Sequence, residues 1–342
     1  MLVRRMTRFA IQSPAFATFL ALLERVNDPR PNVVRVLTYH RIDEPGARPQ
    51  LNPGLISATP ATFDQQMHYL AANYRVISMP ELLHACQTGT ALPPRAVLVT
   101  FDDGYCDFAE HAWPTLKRYR LPVTLFVPTA YPDQPTLTFW WDRLYQALHG
   151  VTDHADLDTP LGRLPLATAA QRSQAFVQLR DSVKGQPHAE AMALVEQICA
   201  QLGTARPQQH VLGWDALQQL AHEGVTLGAH SRTHPLMNRI SPEEARDEAV
   251  GSLHDLERRI GATLPIFAYP SGAFDAETVR VLARAGFLLA FTTTRGLNDL
   301  RHADRLRLRR INVGQRTSLA ALRAQLLPWS VYFNRWLPLA GA

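Results

Sequence analysis

An apolar run, Ala96-Val97-Leu98-Val99-Thr100-Phe101, ends in two adjacent carboxylates and a glycine, Asp102-Asp103-Gly104, followed by Tyr105. Side chains alternate faces along an extended chain, so two carboxylates side by side at its end point in different directions and must do different work. One can ligate a cation while the other holds a proton. Gly104 permits a tight turn that aims the following backbone N–H groups into the same space. An aspartate capping the next turn would leave a similar trace. A second stretch, Leu227-Gly228-Ala229-His230-Ser231-Arg232-Thr233-His234-Pro235, sets two histidines four apart just beyond another apolar run. Helical turning there would bring both imidazoles to one face, as two ligands of one ion require. A single histidine at a strand end is otherwise an ordinary structural residue. Phe267-Ala268-Tyr269-Pro270-Ser271-Gly272 again runs a strand into a Pro/Gly turn, a feature common without any function. Leu37-Thr38-Tyr39-His40-Arg41 closes a first strand on a histidine that says little alone. All four sites lie at the C-terminal ends of apolar runs, and in one α/β fold those ends converge on one face.

The elements that must position them alternate short apolar runs with helical patterns, as in an α/β protein. Strands are expected at Val33–Tyr39, Tyr74–Ser78, Ala96–Phe101, Val123–Val127, Val225–Ala229, Pro265–Tyr269, Leu288–Phe291 and Leu306–Val313. Thr59-Pro60 opens a helix over Ala61–Asn73. Ser241-Pro242-Glu243-Glu244 reads as a capping box, and Gly261 stands where the helix should stop. The alternation breaks between residues 137 and 212. That segment starts Phe139-Trp140-Trp141-Asp142 and turns helical and polar over Ala167–Leu179 and His188–Leu202, with no strand pattern. It reads as a helical insertion on a barrel, not as a separate domain.

A chain of 342 residues suits two domains or one barrel with an insertion. With 46% hydrophobic and 19% charged residues it is neither disordered nor fibrous. The net charge of +5 is almost all arginine, since Lys117 and Lys184 are the only lysines. Spread so thinly, it gives no reason to expect nucleic acid, and it suits an anionic membrane surface or an acidic glycan equally. Cys86, Cys106 and Cys199 form no disulfide or zinc pattern and lean towards a reducing compartment.

Both ends of the chain are distinctive. Residues 1–30 begin with a basic Met1–Arg8, and the apolar Phe9–Leu23 is broken by Gln12, Ser13 and Pro14, with no clear cleavage site after it. The segment reads as an amphipathic helix, packed or membrane-peripheral. Residues 326–342 carry Trp329, Tyr332, Phe333 and Trp336. They read as a tail docked on the barrel or as an interfacial anchor.

Together the motifs resemble those of the polysaccharide deacetylases, carbohydrate esterase family four, which share homology with the rhizobial nodulation deacetylase. Thr100-Phe101-Asp102-Asp103-Gly104-Tyr105 matches the first motif. His230-Ser231-x-x-His234-Pro235 matches the second, and Tyr269-Pro270-Ser271-Gly272 the core of the third. The motifs fall within residues 33 to 313. The resemblance implies an α/β fold, a distorted (β/α) barrel of about seven strands, with a mononuclear site for a divalent metal ion. Zn2+ is the expected ion, with Co2+, Ni2+ or another as alternatives. By matching position, Asp103, His230 and His234 would be the ligands and Asp102 the general base. The backbone N–H of Tyr105 would stabilise the oxyanion, and Tyr269 and Pro270 would lie against substrate.

Two departures stand out. The family's third motif usually begins with an arginine that orients the base, and that position is Phe267. The family usually takes its acid from a late Leu-x-His, whereas the only histidine after Pro270 is His302, in a polar stretch with no strand before it. Val36–Arg41 resembles instead the first strand of a circularly permuted subgroup, which includes deacetylases of biofilm poly-N-acetylglucosamine and in which the acid histidine comes first. That resemblance implies His40 as the acid. The resemblance also includes proteins with a Trp-Trp-Asp insertion. Trp140 and Trp141 would then either face a sugar ring or latch the insertion to the barrel.

The expected function is hydrolysis of N-acetyl groups on amino sugars of a surface polysaccharide or its precursor, with O-acetyl or other C–N bonds as alternatives. The partner would be an N-acetylated carbohydrate, with no nucleic acid and with peripheral membrane contact. Without a convincing export signal, the expected place is the cytoplasm or the inner face of a membrane. A glycoside hydrolase needs two carboxylates roughly 5 to 9.5 Å apart across a bond, which adjacent Asp102 and Asp103 cannot provide. A non-haem iron oxygenase shares the two-histidine, one-carboxylate set but has no use for Asp102. A non-catalytic carbohydrate binder would have little use for the full constellation.

Overall fold

The runs rich in Val, Leu, Ile and Phe form strands close to where their composition puts them. The computed structural model describes residues 14–25, 31–134, 137–151, 156–203 and 209–328. In it seven strands close into a parallel barrel: β1 (Val33–Tyr39), β2 (Ala96–Phe101), β3 (Thr124–Val127), β4 (Thr226–Ala229), β5 (Ile266–Ala268), β6 (Leu289–Arg295) and β7 (Leu308–Asn312). β1 closes the ring, with Tyr39 opposite Phe101 of β2 on one side and Leu37 opposite Ile311 of β7 on the other. The remaining contacts run in chain order from β2 to β7. The run expected at Tyr74–Ser78 gives only Arg75–Val76, an outlying pair beside Ala96 and Val97.

Strands of a helix-covered parallel sheet are buried on both faces, and period two separates the faces. Leu37, Tyr39, Val99, Phe101, Leu227 and Phe267 join the layer under the helices. Val36, Leu98, Phe126, Ala268, Phe291 and Leu308 alternate with that set and fill the interior. Counting on by twos along the interior set reaches His40 from Val36, Asp102 from Leu98, Pro270 from Ala268 and Arg310 from Leu308. The polar residues that matter thus continue the inward face of apolar strands at one end of the barrel.

Helix starts follow the expected chemistry. Thr59 accepts from the Thr62 N–H ahead of Pro60–Asn73, and Ser241 forms a full capping box with Glu244 for Pro242–Ile260, which Gly261 ends. The insertion packs helices Trp140–His149, Ala169–Gly185 and His188–Leu202 around Leu144, Leu148, Phe176, Leu179, Leu194 and Ile198. The expectation that it lacks strands is corrected. Asp156–Thr159 and Gly162–Pro165 form an antiparallel hairpin that buries Leu157 and Leu164.

At the N-terminal side, helix Pro14–Arg25 is tied to helix Leu319–Leu326, because Glu24 accepts from Arg323 and from the Tyr69 hydroxyl. Residues 1–13, 26–30 and 329–342, which carry much of the expected N-terminal segment and aromatic tail, lie outside the described residues. No helix among the described residues is long and apolar enough to cross a membrane.

Candidate active site

Asp102 follows β2 directly, its N–H donating to the Tyr39 carbonyl of β1 at 3.0 Å. Its carboxylate receives two parallel bonds from Arg310, Nη1 to Oδ1 at 2.8 Å and Nη2 to Oδ2 at 2.7 Å. Arg310 is fully buried on β7, and its Nε donates to the Thr292 carbonyl at 2.8 Å, so the guanidinium is fixed at three points. Burial alone would push the Asp102 carboxyl up, but the Arg310 charge, with His230 and His40, holds it below the ordinary carboxylate value. It is a carboxylate at neutral pH, sealed from solvent.

The reading of Phe267 as the place of the missing arginine is corrected. Phe267 faces the helix layer, its ring 5.5 Å from those of both Tyr269 and Phe287. An arginine there would point away from Asp102. The inward residue of β5 is Ala268, and the arginine comes from β7.

Asp103 turns the other way from Asp102, with a left-handed backbone (φ 75°) that costs a non-glycine residue roughly 1–2 kcal/mol. Its Oδ1 lies 3.4 Å from both His230 Nε2 and His234 Nε2 and is buried with no hydrogen-bond partner among the described residues. His230 Nδ1 bonds the Ala268 carbonyl at 2.7 Å. A carbonyl can only accept, so Nδ1 carries a proton, which leaves Nε2 as the atom that can ligate. The three candidate ligand atoms all lie within 4.8 Å of one another.

The expected helical turn between the histidines is absent. Ser231 and His234 both have left-handed backbones (φ 62° and 60°), and the Ser231 hydroxyl accepts the His234 N–H at 3.0 Å. A tight loop, not a helix face, brings the rings to 4.8 Å between centroids. A buried carboxylate oxygen without a donor, between two imidazole nitrogens, is a donor set that Zn2+ takes and that also suits Co2+ or Ni2+.

Tyr105 sits in an antiparallel bridge with Val211. The bonds flanking it, Cys106 N–H to the His210 carbonyl and Leu212 N–H to the Gly104 carbonyl, are both 2.8 Å. In that pattern the central N–H points away from its partner strand, and it finds no acceptor among the described residues. At its far end the Tyr105 hydroxyl donates to Asp142 Oδ2 at 2.6 Å and accepts from Trp141 Nε1 at 2.9 Å. His40 follows β1 beside Asp102, half-buried, its N–H held by the Ser57 hydroxyl at 2.9 Å. His302 is exposed near the opposite end of the barrel. Its stretch is anchored there, since Asn298 and Asp299 pair with Val34 and Val33 at the start of β1.

Four other residues expected at the substrate are buried. Tyr269 donates its hydroxyl to the Leu306 carbonyl at 3.0 Å and packs 5.1 Å from Phe274, so its ring belongs to the helix layer, and Pro270 is buried in the turn after it. Trp140 and Trp141 begin the first insertion helix, edge to face with each other, and Trp141 also stands 4.8 Å from the His234 ring. Sequence reasoning missed Arg310, the Ala268 carbonyl and the Tyr105–Asp142 bond. Of these only Arg310 left a signal, an arginine on the inward parity of an apolar strand.

Comparison with known proteins identifies the family. The polysaccharide deacetylase family model matches residues 89–290, and the chain belongs to that family. It is similar to the Bacillus subtilis (strain 168) protein YxkH, 18% identical over 268 residues that cover 78% of this chain and 67% of that one. It is 26% identical over 100 residues to the poly-beta-1,6-N-acetyl-D-glucosamine N-deacetylase of Escherichia coli (strain K12), a stretch covering 29% of this chain and 14% of that one. In structure it resembles the Streptococcus pyogenes deacetylase PplD in complex with acetate. That match has a TM-score of 0.60 and 22% identity, over 87% of this chain and all of the other, and shows a shared fold.

Proposed function

We propose that the chain is a metal-dependent deacetylase that removes N-acetyl groups from amino sugars of a surface polysaccharide or its precursor. The observation that carries this reading is Asp102, ionised and clamped by Arg310 beside a second carboxylate shared by His230 and His234. Asp103, His230 and His234 would hold the cation, with Zn2+ the expected ion. A bound divalent cation supplies a Lewis acid that polarises the acyl oxygen and lowers the pKa of water. Asp102 takes the proton of the attacking water, and Arg310 keeps that carboxylate ionised and aimed. The Tyr105 N–H donates to the oxygen that becomes negative as the carbonyl turns tetrahedral. His40, on the same face as Asp102, gives the leaving amine its proton, as in the permuted subgroup with an early acid histidine.

The stretch similar to a poly-N-acetylglucosamine deacetylase supports an N-acetylhexosamine substrate. Trp140 and Trp141 are buried, which favours a packing role over stacking on a sugar. We propose a cytoplasmic reaction, with peripheral contact to a membrane as its further part. The basic start of the chain and its aromatic end support this, since the helices next to them are joined through Glu24 and Arg323. Acetate release from N-acetylglucosamine oligomers that needs added Zn2+ and stops with chelator tests the activity. Recovery of all the protein in the soluble fraction, with no binding to anionic liposomes, would overturn the membrane part.

A further inference from the structure

The first turn of the insertion meets the candidate site at two points. Trp141 Nε1 donates to the Tyr105 hydroxyl at 2.9 Å, and that hydroxyl donates to Asp142 Oδ2 at 2.6 Å. Asp142 is itself fixed, its Oδ1 accepting the Asn52 N–H at 2.8 Å, and it is fully buried. The Tyr105 side chain is therefore pinned at its tip by two residues of the insertion. Its ring lies under the buried Arg41 guanidinium, 5.5 Å from the centroid. A ring fixed at both ends leaves its own backbone N–H little freedom.

The second point is His234. Ligand histidines almost always fix their ring by donating the other N–H to an acceptor, as His230 does to Ala268. His234 has no such bond, because its Nδ1 is buried without a partner among the described residues. Aromatic rings stand there instead. Trp141 lies 4.8 Å from the His234 ring and Phe139 lies 5.7 Å away, both edge to face, and the two are themselves stacked at 4.4 Å.

We infer that the helical insertion is part of the active site, with Trp141 as a positioning residue for both His234 and Tyr105, and Asp142 as a positioning residue for Tyr105. The assignment to catalysis rests on the deacetylase reading, whereas the His234 half concerns cation binding alone. Trp141→Phe keeps the aromatic wall and deletes the N–H, whereas Trp141→Ala removes both. Tyr105→Phe removes only the hydroxyl that Asp142 and Trp141 hold.

The test measures Zn2+ affinity by competition with a fluorescent chelator, and kcat and KM for acetate release, on the full chain. Trp141→Phe and Tyr105→Phe are expected to bind Zn2+ as the wild type does while kcat falls about tenfold or more at unchanged KM. Trp141→Ala is expected to weaken Zn2+ binding about 10–100-fold as well. If Trp141→Ala does not fold by circular dichroism, Trp141→Leu, which keeps more of the volume, takes its place. Wild-type Zn2+ affinity in the folded Ala or Leu variant would overturn the His234 half. Wild-type kcat in both Phe variants would overturn the Tyr105 half. A wild-type protein that binds Zn2+ but releases no acetate would count against the deacetylase reading, and the affinity comparison would still decide the His234 half.

Discussion

Arg310 and Asp102 stand 208 residues apart in the chain and meet inside the barrel in a two-pronged ion pair, both side chains sealed from solvent. Breaking such a pair by removing one partner costs about 3–5 kcal/mol, because the other charge stays buried and unpaired. Arg310→Ala is expected to lower stability by that order and to abolish turnover. Arg310→Lys keeps the charge but cannot form the fork. It is expected to fold, with kcat reduced at least tenfold and KM little changed. Denaturant melts with steady-state kinetics check this, and wild-type kcat in Arg310→Lys would remove the guanidinium from the account.

The cation should also act on stability. Without it, Asp103 Oδ1 is a buried charge with no hydrogen-bond donor among the described residues. A ligand at 100 times its Kd that binds only the folded state adds about 2.7 kcal/mol. Chelator is expected to lower the melting temperature and added Zn2+ to restore it, and His230→Ala should erase the response. An identical response in His230→Ala would place the cation elsewhere.

His40 can be tested through the leaving group. An amine must be protonated as it departs, whereas an aryl oxide departs without help. General acid catalysis contributes about 10²–10⁴-fold. His40→Ala is therefore expected to lose about 10²-fold or more on an N-acetyl sugar and far less on an aryl acetate. Equal losses on the two substrates would assign His40 to structure.

Asp142 predicts a pH dependence of stability. Burial is the main cause that lifts its carboxyl to about 7, against the lowering pull of the Tyr105 hydroxyl and the Asn52 N–H. An unfolded aspartate titrates at about 3.9, so between about pH 4 and pH 7 the folded chain holds a proton that the unfolded chain has released. Stability must then fall as pH rises through that window and level off above it. Asp142→Asn cannot titrate. The stability of wild type minus that of Asp142→Asn is expected to decrease from pH 5 to pH 7.5 in urea melts, and a flat or rising difference would contradict it.

The barrel was legible because its strands are short, apolar and punctuated by polar turns. β1 and β2 begin and end where their composition says, at Val33–Tyr39 and Ala96–Phe101. The chemistry was legible where a motif is contiguous, as in Asp102-Asp103. It was illegible where it depends on pairing between distant strands. Nothing near Asp102 in sequence points to Arg310, although Leu308 and Arg310 share a face by period two. The spacing of His230 and His234 suggested a helix because four residues make about one turn, and left-handed backbones at Ser231 and His234 reached the same proximity by another route. The insertion hairpin escaped notice because each strand has only four residues, with Leu157 and Leu164 buried among polar neighbours. Trp141 was ambiguous in sequence, since a sugar platform and a packed wall call for the same residue type.

The central claim is that Asp102 is the base of a metal-dependent deacetylation. The direct measurement is acetate release from a panel of N-acetylhexosamine oligosaccharides, with added Zn2+, Co2+ or Ni2+, with chelator, and with Asp102→Asn as the control. The expected result is acetate release that chelator stops and that falls at least 10²-fold in a folded, metal-binding Asp102→Asn. Undiminished turnover in that variant, or acetate release indifferent to chelator, would contradict it.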